Sequence, residues 1–217
     1  MEKSKVGLLI FGAPGSGKGT QTRLLAEHLK GITAICVGDL LREEVRASTE
    51  IGAEIARVME SGALVSDVLV CEMVLRKLRY MGEGGFLLDG FPRNMLQAEF
   101  LEIALRLLDC KVNLVIKLEV DPVSIIKRLE GRLVCNQCGS ISNIGFQEDS
   151  CSKCGSSDYT RRRDDESYVV ERRILEYERV VRELEGYYGD KVVKINGNKP
   201  VDEVFADIRG KVVGINN

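Results

Sequence analysis

The segment that decides the fold runs from Lys5 to Thr20; it reads KVGLLIF from Lys5 to Phe11 and GAPGSGKGT from Gly12 to Thr20. Its first part is a short apolar run followed by glycine, which is typical of a buried strand. Its second part, counted from Gly12, has the spacing G-x-x-x-x-G-K, with Gly19 where serine or threonine usually follows the lysine. A strand, a glycine-rich loop and a helix in this order predict a phosphate-binding loop with Lys18 as its cation. The alternative is a tightly packed glycine turn that binds nothing.

Apolar runs elsewhere predict four more strands, at residues 32–37, 85–89, 112–120 and 191–195. Helical patterns separate them, at residues 18–29, 39–47, 50–61, 66–81, 94–108, 122–130, 167–187 and 200–211, and Ser66 and Asp67 occupy an N-cap position. This alternation predicts an α/β fold: a five-stranded parallel sheet with helices on both faces. Residues 131–165 break the rhythm. They are poor in large apolar side chains, so we expect a small insertion that has no core of its own.

The composition excludes several classes of protein. The chain has 217 residues, of which 44% are hydrophobic, and its 31 basic and 33 acidic residues give a net charge of −2. This balance argues against a general polyanion binder, and no apolar run reaches the ~18 residues of a membrane span. The first apolar run leads into the glycine loop rather than a cleavage site, so we expect no secretory signal and a cytoplasmic protein.

Four of the seven cysteines form two CxxC pairs, Cys135/Cys138 and Cys151/Cys154. A glycine follows each pair, and the residues from Gly139 to Ser150 separate the two pairs. An odd cysteine count with paired spacing favours a metal over a disulfide framework, and four thiolates are typical of a closed, structural zinc site. The separation is slightly below that of most zinc ribbons, which predicts a shortened tip. Free thiols in a surface loop, or a redox pair, are the alternatives.

Further motifs follow the glycine loop along the chain. Residues 38–42 read GDLLR, residues 64–67 read LVSD and residues 86–93 read FLLDGFPR, the most specific of the set. Gln97, Gly131-Arg132, the run 163–165 (RDD) and Arg172-Arg173 complete them. Nearly end to end, the chain resembles the adenylate kinases, which belong to the nucleoside monophosphate kinases. The resemblance is to their bacterial-type form, which has a long zinc-bearing lid. The resemblance implies a P-loop NTPase-type sheet and reversible transfer of a phosphoryl group from Mg-ATP to AMP, giving two ADP, in line and under a closing lid.

The resemblance also implies roles for particular residues. The catalytic set is Lys18, Arg93, Arg132, Arg162 and Arg173. The ATP-binding set is Gly15, Ser16, Gly17, Lys18, Gly19, Thr20, Arg128, Arg132, Ser142, Asn143 and Lys199. The AMP-binding set is Val37, Gly38, Arg42, Ala63, Leu64, Val65, Gly90, Phe91, Pro92, Arg93, Gln97, Arg162 and Arg173. The zinc ligands are Cys135, Cys138, Cys151 and Cys154. Asp89 would order Mg²⁺ through water, and Asp164 and Asp165 would orient the arginines.

The implied organisation is a single kinase unit over residues 1–217. Its core comprises residues 1–35, 66–130 and 166–217, its AMP-binding helical segment residues 36–65, and its lid residues 131–165. We expect a monomer whose partners are ATP, AMP and ADP, with no nucleic acid and no membrane.

Some positions depart from the family pattern. Val37 stands where threonine is usual, Asn94 replaces another threonine, and Leu133 replaces a second arginine. Ser142 and Asn143 occupy the places of an aromatic residue and a histidine. The nearest alternative is therefore a kinase for UMP, CMP or GMP. A GTPase-type switch lacks its NKxD motif, because Pro200 and Val201 follow Asn198-Lys199. A zinc-ribbon nucleic-acid module, with residues 161–163 as a basic patch, would leave the glycine loop and FLLDGFPR unexplained.

Overall fold

A computed structural model describes residues 5–143 and 150–214. Its strands are, in chain order, β1 (Val6–Phe11), β2 (Ile32–Cys36), β3 (Gly85–Asp89), β4 (Leu114–Glu119), β5 (Arg132–Cys135), β6 (Ile141–Asn143), β7 (Tyr159–Thr160) and β8 (Val192–Asn196). Its helices are α1 (Lys18–His28), α2 (Val37–Arg46), α3 (Glu50–Glu60), α4 (Asp67–Leu78), α5 (Met95–Leu107), α6 (Pro122–Glu130), α7 (Ser167–Tyr188) and α8 (Val201–Val213).

The predicted five-stranded parallel sheet is confirmed, with the strand order β2-β3-β1-β4-β8. The central strand β1 pairs with β3 and β4, so that Leu9 lies between Leu88 and Val115. At Gly85 the backbone φ is +98°, and a Cβ there would lie 2.1 Å from the Val6 carbonyl oxygen. Only glycine allows β1 and β3 to approach each other at this point.

Both faces of the sheet are covered by helices. Along β1, Leu9 and Phe11 belong to one buried cluster while Leu8 and Ile10 belong to another, as the two-residue period of a strand requires. The first cluster receives side chains from α2, α3, α4, α5 and α7, and the second from α1 and α8. A sheet buried on both faces explains why its strands are continuous apolar runs rather than alternating ones.

One predicted boundary was wrong. Val37 does not extend β2 but begins α2, where its side chain is buried against the core. The segment predicted to have no core of its own also contains a three-stranded antiparallel sheet of order β6-β5-β7, which the sequence did not predict. This small sheet escapes prediction because its strands are too short to display a period. The predicted shortened tip falls on residues 144–149, outside the described part of the chain.

The parallel arrangement places the carboxyl ends of the five strands along one edge of the sheet. Phe11 leads there into the glycine loop, Asp89 ends β3, and Cys36 leads directly into α2. In open parallel sheets this edge is where ligands bind, beside the strand at which the chain order reverses. Here that strand is β1.

Candidate active site

A large cavity of about 1110 Å³ lies at this edge. Its walls come from the glycine loop, the start of α2, the segment after α3, the turn after β3, α7 and the small antiparallel sheet. Pockets for one drug-sized ligand usually measure ~300–1000 Å³. The cavity therefore has room for more than one small molecule.

The glycine loop has the backbone of a phosphate-binding loop. Gly12, Gly15 and Gly17 have φ values of 157°, 79° and 96°, and α1 begins immediately afterwards at Lys18. Gly17 offers no side chain to cap α1, so the first backbone N–H groups of the helix are left for a ligand. Ser16 is 2% exposed, and its Oγ has no hydrogen-bond partner among the described residues. An unpartnered buried hydroxyl in such a loop indicates a polar ligand.

Lys18 closes the loop on itself. Its Nζ donates hydrogen bonds to the carbonyl oxygens of Gly12 and Ala13, at 2.6 and 2.9 Å. Burial lowers the pKa of Lys18 to about 8, although Asp89 opposes this shift. Burial raises the pKa of Asp89 in turn, against the opposing charges of Lys18 and Arg93. The pair thus places one cation and one carboxylate at the ends of β1 and β3.

Two arginines of the cavity are held by neighbouring carboxylates. Arg132 Nε donates to Asp165 Oδ2 at 2.6 Å, and Arg132 Nη2 donates to Asp165 Oδ1 in the second bond of the same fork. Arg173 Nη1 donates to Asp164 Oδ2 at 2.7 Å. These pairs link the base of the small sheet to α7, and they fix the planes of both guanidinium groups.

The cavity carries more positive than negative charge. Burial together with the neighbouring Arg173 lowers the pKa of Arg93 to about 10, and burial together with Arg42 lowers that of Arg162 to about 10. Arg162 Nε is buried and has no hydrogen-bond partner among the described residues. Guanidinium groups that are crowded and partly unpaired in this way attract a polyanion, because phosphate oxygens would relieve both deficits.

Nearly all of the site residues named from the sequence line this one cavity. They are Gly15, Ser16, Gly17, Lys18, Gly19, Thr20, Val37, Gly38, Arg42, Ala63, Leu64, Val65, Gly90, Pro92, Arg93, Gln97, Arg128, Arg132, Ser142, Arg162, Arg173 and Lys199. Asn143 is described only by its backbone, which pairs with Arg132 between β6 and β5. Phe91 does not line the cavity, because its side chain is fully buried in the core.

Gln97 lines the cavity with an amide that already makes two contacts. Its Nε2 donates to Asp67 Oδ1 at 2.6 Å, and its Oε1 accepts from the backbone N–H of Arg93 at 2.8 Å. Of the two residues predicted at the N-cap of α4, Ser66 occupies that position without a side-chain cap hydrogen bond, whereas the Asp67 carboxylate faces α5. Asn94 caps α5 by accepting from the Gln97 backbone N–H at 2.9 Å.

The four paired cysteines converge, as their spacing predicted. Their Sγ atoms all lie within 4.8 Å of one another, with Cys135 to Cys154 at 3.5 Å and Cys138 to Cys151 at 3.6 Å. A zinc ion with four Zn–S bonds of ~2.3 Å would place its sulfurs ~3.8 Å apart, whereas a disulfide requires ~2.05 Å. The geometry therefore fits a tetrahedral metal site and does not fit two disulfides.

Both CxxC turns have the same backbone. Gly139 N–H donates to the Cys135 carbonyl at 2.9 Å, and Gly155 N–H donates to the Cys151 carbonyl at 2.7 Å. Both glycines have positive φ, which is the reason that glycine follows each pair. Hydrogen bonds from the backbone N–H groups of Lys153 and Cys154 lower the pKa of Cys151 to about 6. Against a hydrogen bond from the Ser156 backbone, burial and the other three thiols raise the pKa of Cys154 to about 12, so that not all four sulfurs are thiolates in the absence of a cation.

Sequence analysis missed the wall that α7 supplies. Tyr177, Val180, Val181 and Leu184 line the cavity with apolar surface. The signal was present, because these residues recur at helical spacing, but such a stripe is indistinguishable from ordinary core. Arg128 donates to the carbonyl oxygens of Ser16 and Gly197, at 3.3 and 2.7 Å.

The chain is similar in sequence to known proteins along most of its length. A sequence model of the family described as "Adenylate kinase" matches residues 10–193. A protein called adenylate kinase from Wolbachia pipientis subsp. Culex pipiens is 40% identical over 208 residues, covering 94% of this chain and 97% of the relative. Its namesake from Paracoccus denitrificans is 35% identical, with 94% and 95% covered, and that from Streptococcus thermophilus is 38% identical, with 96% and 99% covered. Among the described residues, no helix is both long and apolar enough to cross a membrane.

Proposed function

Since the chain belongs to the adenylate kinase family, we propose how its own residues divide the work of the reaction. The reaction is the reversible transfer of a phosphoryl group from ATP to AMP, which yields two ADP. One observation carries the division of roles: a phosphate loop and arginines from separate segments surround one cavity large enough for two nucleotides.

Phosphoryl transfer depends mainly on positioning the two reactants in line and on neutralising the transferring charge. We assign the phosphates of ATP to Lys18 and the loop Gly15–Thr20. The first N–H groups of α1 and the unpartnered Ser16 Oγ both belong to this loop, and both would donate to phosphate oxygens. Arg132 and Arg128 cover ATP from the opposite side, with Ser142, Asn143 and Lys199 near the base.

The acceptor side is assigned to AMP. Arg42 and Arg93 hold its phosphate, while Val37, Gly38, Ala63, Leu64, Val65, Gly90, Phe91 and Pro92 surround its base and ribose, Phe91 through its backbone. Gln97 contacts the base. Arg162 and Arg173 bridge the two nucleotides and stabilise the group in transit. Crowding among these guanidinium groups in the free protein supports this assignment, because bound phosphates would remove their mutual repulsion.

The boundaries proposed for these parts follow the elements. The core comprises residues 1–35, 66–130 and 166–217, the AMP-binding helical segment residues 36–65, and the lid residues 131–165. Closing of the lid would exclude water and so prevent loss of the phosphoryl group by hydrolysis. Arg132 and Asp165 lie at the two ends of the lid, and their ion pair holds those ends together.

Adenylate kinases use Mg²⁺ with ATP, and Asp89 is suited to receive it. Its carboxylate lines the cavity beside Lys18 and accepts no hydrogen bond from residues 5–143 or 150–214. Oxygen ligands and retained waters are what Mg²⁺ prefers. When bound with ATP, the ion neutralises charge on the phosphate oxygens. We assign to Asp89 the role of orienting the waters of that ion.

The four cysteines could bind zinc, and we propose that they hold a structural zinc ion. The lid has few large apolar residues, so a metal would replace the core that it lacks. All four ligands come from the protein and leave no open position, so the ion would take no part in the chemistry. The same reduced thiols support a cytoplasmic protein. We propose that it acts as a monomer.

The test is a product assay with Mg-ATP and, separately, AMP, CMP, UMP and GMP. We expect ADP to form strongly with AMP alone. Preferred turnover of another monophosphate would show that the acceptor site binds that nucleotide rather than AMP. Absence of turnover in folded, metal-loaded protein would contradict the assignment of the cavity. Lys30→Met is a matched control for substitutions in the loop, because Lys30 is exposed and does not line the cavity.

A further inference from the structure

The carboxylate of Asp67 joins two helices that the family motifs treat separately. It lies at the first residue of α4, where the positive end of the helix stabilises a negative charge. Asn94 Nδ2 donates to both of its oxygens, at 3.0 and 3.1 Å, and Gln97 Nε2 donates to Oδ1 at 2.6 Å. Both donors belong to the start of α5.

Asn94 uses both ends of its amide in this arrangement. Its Oδ1 caps α5 and its Nδ2 grips Asp67, so the cap and the carboxylate are held by one side chain. A threonine at this position would have one hydroxyl to serve both. Asn94, which departs from the family pattern, therefore holds the Asp67 carboxylate more firmly than a threonine would.

The contacts of Gln97 permit only one orientation of its amide. Its Oε1 faces the Arg93 N–H and its Nε2 faces the Asp67 carboxylate. Rotating the amide by half a turn would set two donors together at Arg93 and two acceptors together at Asp67. Both hydrogen bonds would be lost, and the carboxylate would repel the amide oxygen. Gln97 is also 1% exposed, so water does not compensate for the loss.

An amide held in this way keeps one N–H and one lone pair free for a ligand, and their order is fixed. The adenine edge offers an acceptor at N1 and a donor at the 6-amino group. A 6-oxopurine offers the opposite order, with a donor at N1 and an acceptor at O6. We propose that Asp67, supported by Asn94, is a positioning residue that selects 6-amino over 6-oxo purine monophosphates by preventing Gln97 from turning. This proposal rests on the proposed contact between Gln97 and the base of AMP.

The experiment compares kcat/KM for AMP with kcat/KM for inosine monophosphate, which differs from AMP only at the base edge. In Asp67→Ala we expect the ratio of the two to fall by about tenfold or more, because a charge-assisted hydrogen bond no longer holds the amide. The change should appear in KM for the monophosphate, with KM for ATP unaltered. A general loss of folding would lower both specificity constants and leave their ratio unchanged.

Two milder variants cover the case in which Asp67→Ala does not fold. Asp67→Asn keeps an acceptor without the charge, and Asn94→Ser keeps a cap for α5 but loses both bonds to Asp67. For Asp67→Asn we expect the ratio to fall by about threefold, since a neutral hydrogen bond is roughly half as strong as a charged one. For Asn94→Ser we expect a fall of about threefold at most, because the charged bond to Gln97 remains but the carboxylate loses the two bonds that support it. Glu72→Ala, an exposed acid on the same helix, is the control and should leave the ratio unchanged.

An unchanged ratio in the Asp67 variants that fold would overturn the proposal, as would a wild-type protein that does not discriminate between the two monophosphates. Gln97→Ala separates the proposal from its premise. If Gln97→Ala lowers the ratio and the Asp67 variants do not, the base contact stands and the positioning role is wrong. If Gln97→Ala also leaves the ratio unchanged, the assigned base contact itself is wrong.

Discussion

Replacing Lys18 by methionine removes the charge from the phosphate loop while keeping most of the length of the side chain. Lys18 Nζ donates to two loop carbonyls, and it lies beside Asp89 in the wall of the cavity. We expect kcat for ADP formation to fall by about 100- to 1000-fold, which is the usual effect of removing one preorganised donor from developing charge.

The same burial leads to a separate prediction about stability. The pKa of Lys18 is about 8 in the folded protein against an ordinary value of 10.5. Between these values the unfolded chain binds more protons at this position than the folded protein does. Stability of the wild type therefore rises with pH through this window. The difference, 10.5 − 8 or about 2.5 pKa units, corresponds to about 3 kcal/mol at ~1.36 kcal/mol per unit.

The measurement is urea unfolding of both proteins at about pH 7, 8, 9 and 10. The free energy of unfolding of the wild type, minus that of Lys18→Met, should rise by about 2.5 kcal/mol from pH 7 to pH 10, which spans most of the window between the two pKa values. Subtraction removes the contribution of the titrating groups that do not interact with Lys18. In parallel, wild-type kcat/KM should fall above about pH 8, because it reports the free enzyme, in which Lys18 loses its proton. Lys30→Met should follow the wild type in activity.

A difference in unfolding free energy that does not change with pH would refute the argument, because it would mean that Lys18 keeps its ordinary pKa in the folded protein. Undiminished turnover in Lys18→Met would refute the assignment of the loop to ATP. The two results are independent, so the burial of Lys18 and its chemical role are tested separately.

Three further predictions follow from the lid, the cavity and the core. Cys151→Ser should lower both the bound zinc and the melting temperature, with a smaller loss of activity at 25 °C; an unchanged melting temperature, measured beside metal content, would contradict a structural zinc ion. Arg132→Lys keeps the charge but loses the planar fork on Asp165, so kcat should fall by about tenfold or more at unchanged melting temperature; steady-state kinetics equal to wild type would show that the fork is dispensable. Leu101→Ala, at a fully buried position of α5, should cost about 2–5 kcal/mol in urea unfolding, against less than about 0.5 kcal/mol for the exposed Leu107→Ala; equal costs would show that Leu101 is not core.

The sequence predicted the sheet well because each of its strands is a short apolar run that must be buried on both faces. It predicted the ends of elements less well. Val37 is β-branched and continues the apolar run of β2, yet the chain turns into α2 at this residue. The packing of Val37 against the core sets the boundary between β2 and α2. The intrinsic β-propensity of valine does not predict this packing.

In the lid, the sequence predicted the cysteine site but not the secondary structure. Its metal-binding spacing was plain from four cysteines and two glycines, but its small sheet was not. Pairing of β5 with β6 and β7 depends on backbone hydrogen bonds between short segments that are far apart in the chain. The strands carry no apolar period that would reveal them, because β5, β6 and β7 have only four, three and two residues.

By itself, the sequence determined the chemistry of this protein: a loop whose glycines let backbone N–H groups converge, a lysine at its end, planar cations in separate motifs and four thiols at metal-binding spacing. Only the tertiary structure decided which of these groups meet. Arg42 on α2, Arg132 on β5 and Arg173 on α7 line one cavity because these three elements meet at the carboxyl edge of the parallel sheet. The orientation of Gln97 was also invisible in the sequence, because its partner Asp67 stands on another helix. Residue types follow from local chemistry, whereas partners depend on contacts between distant segments that form only when the core is packed.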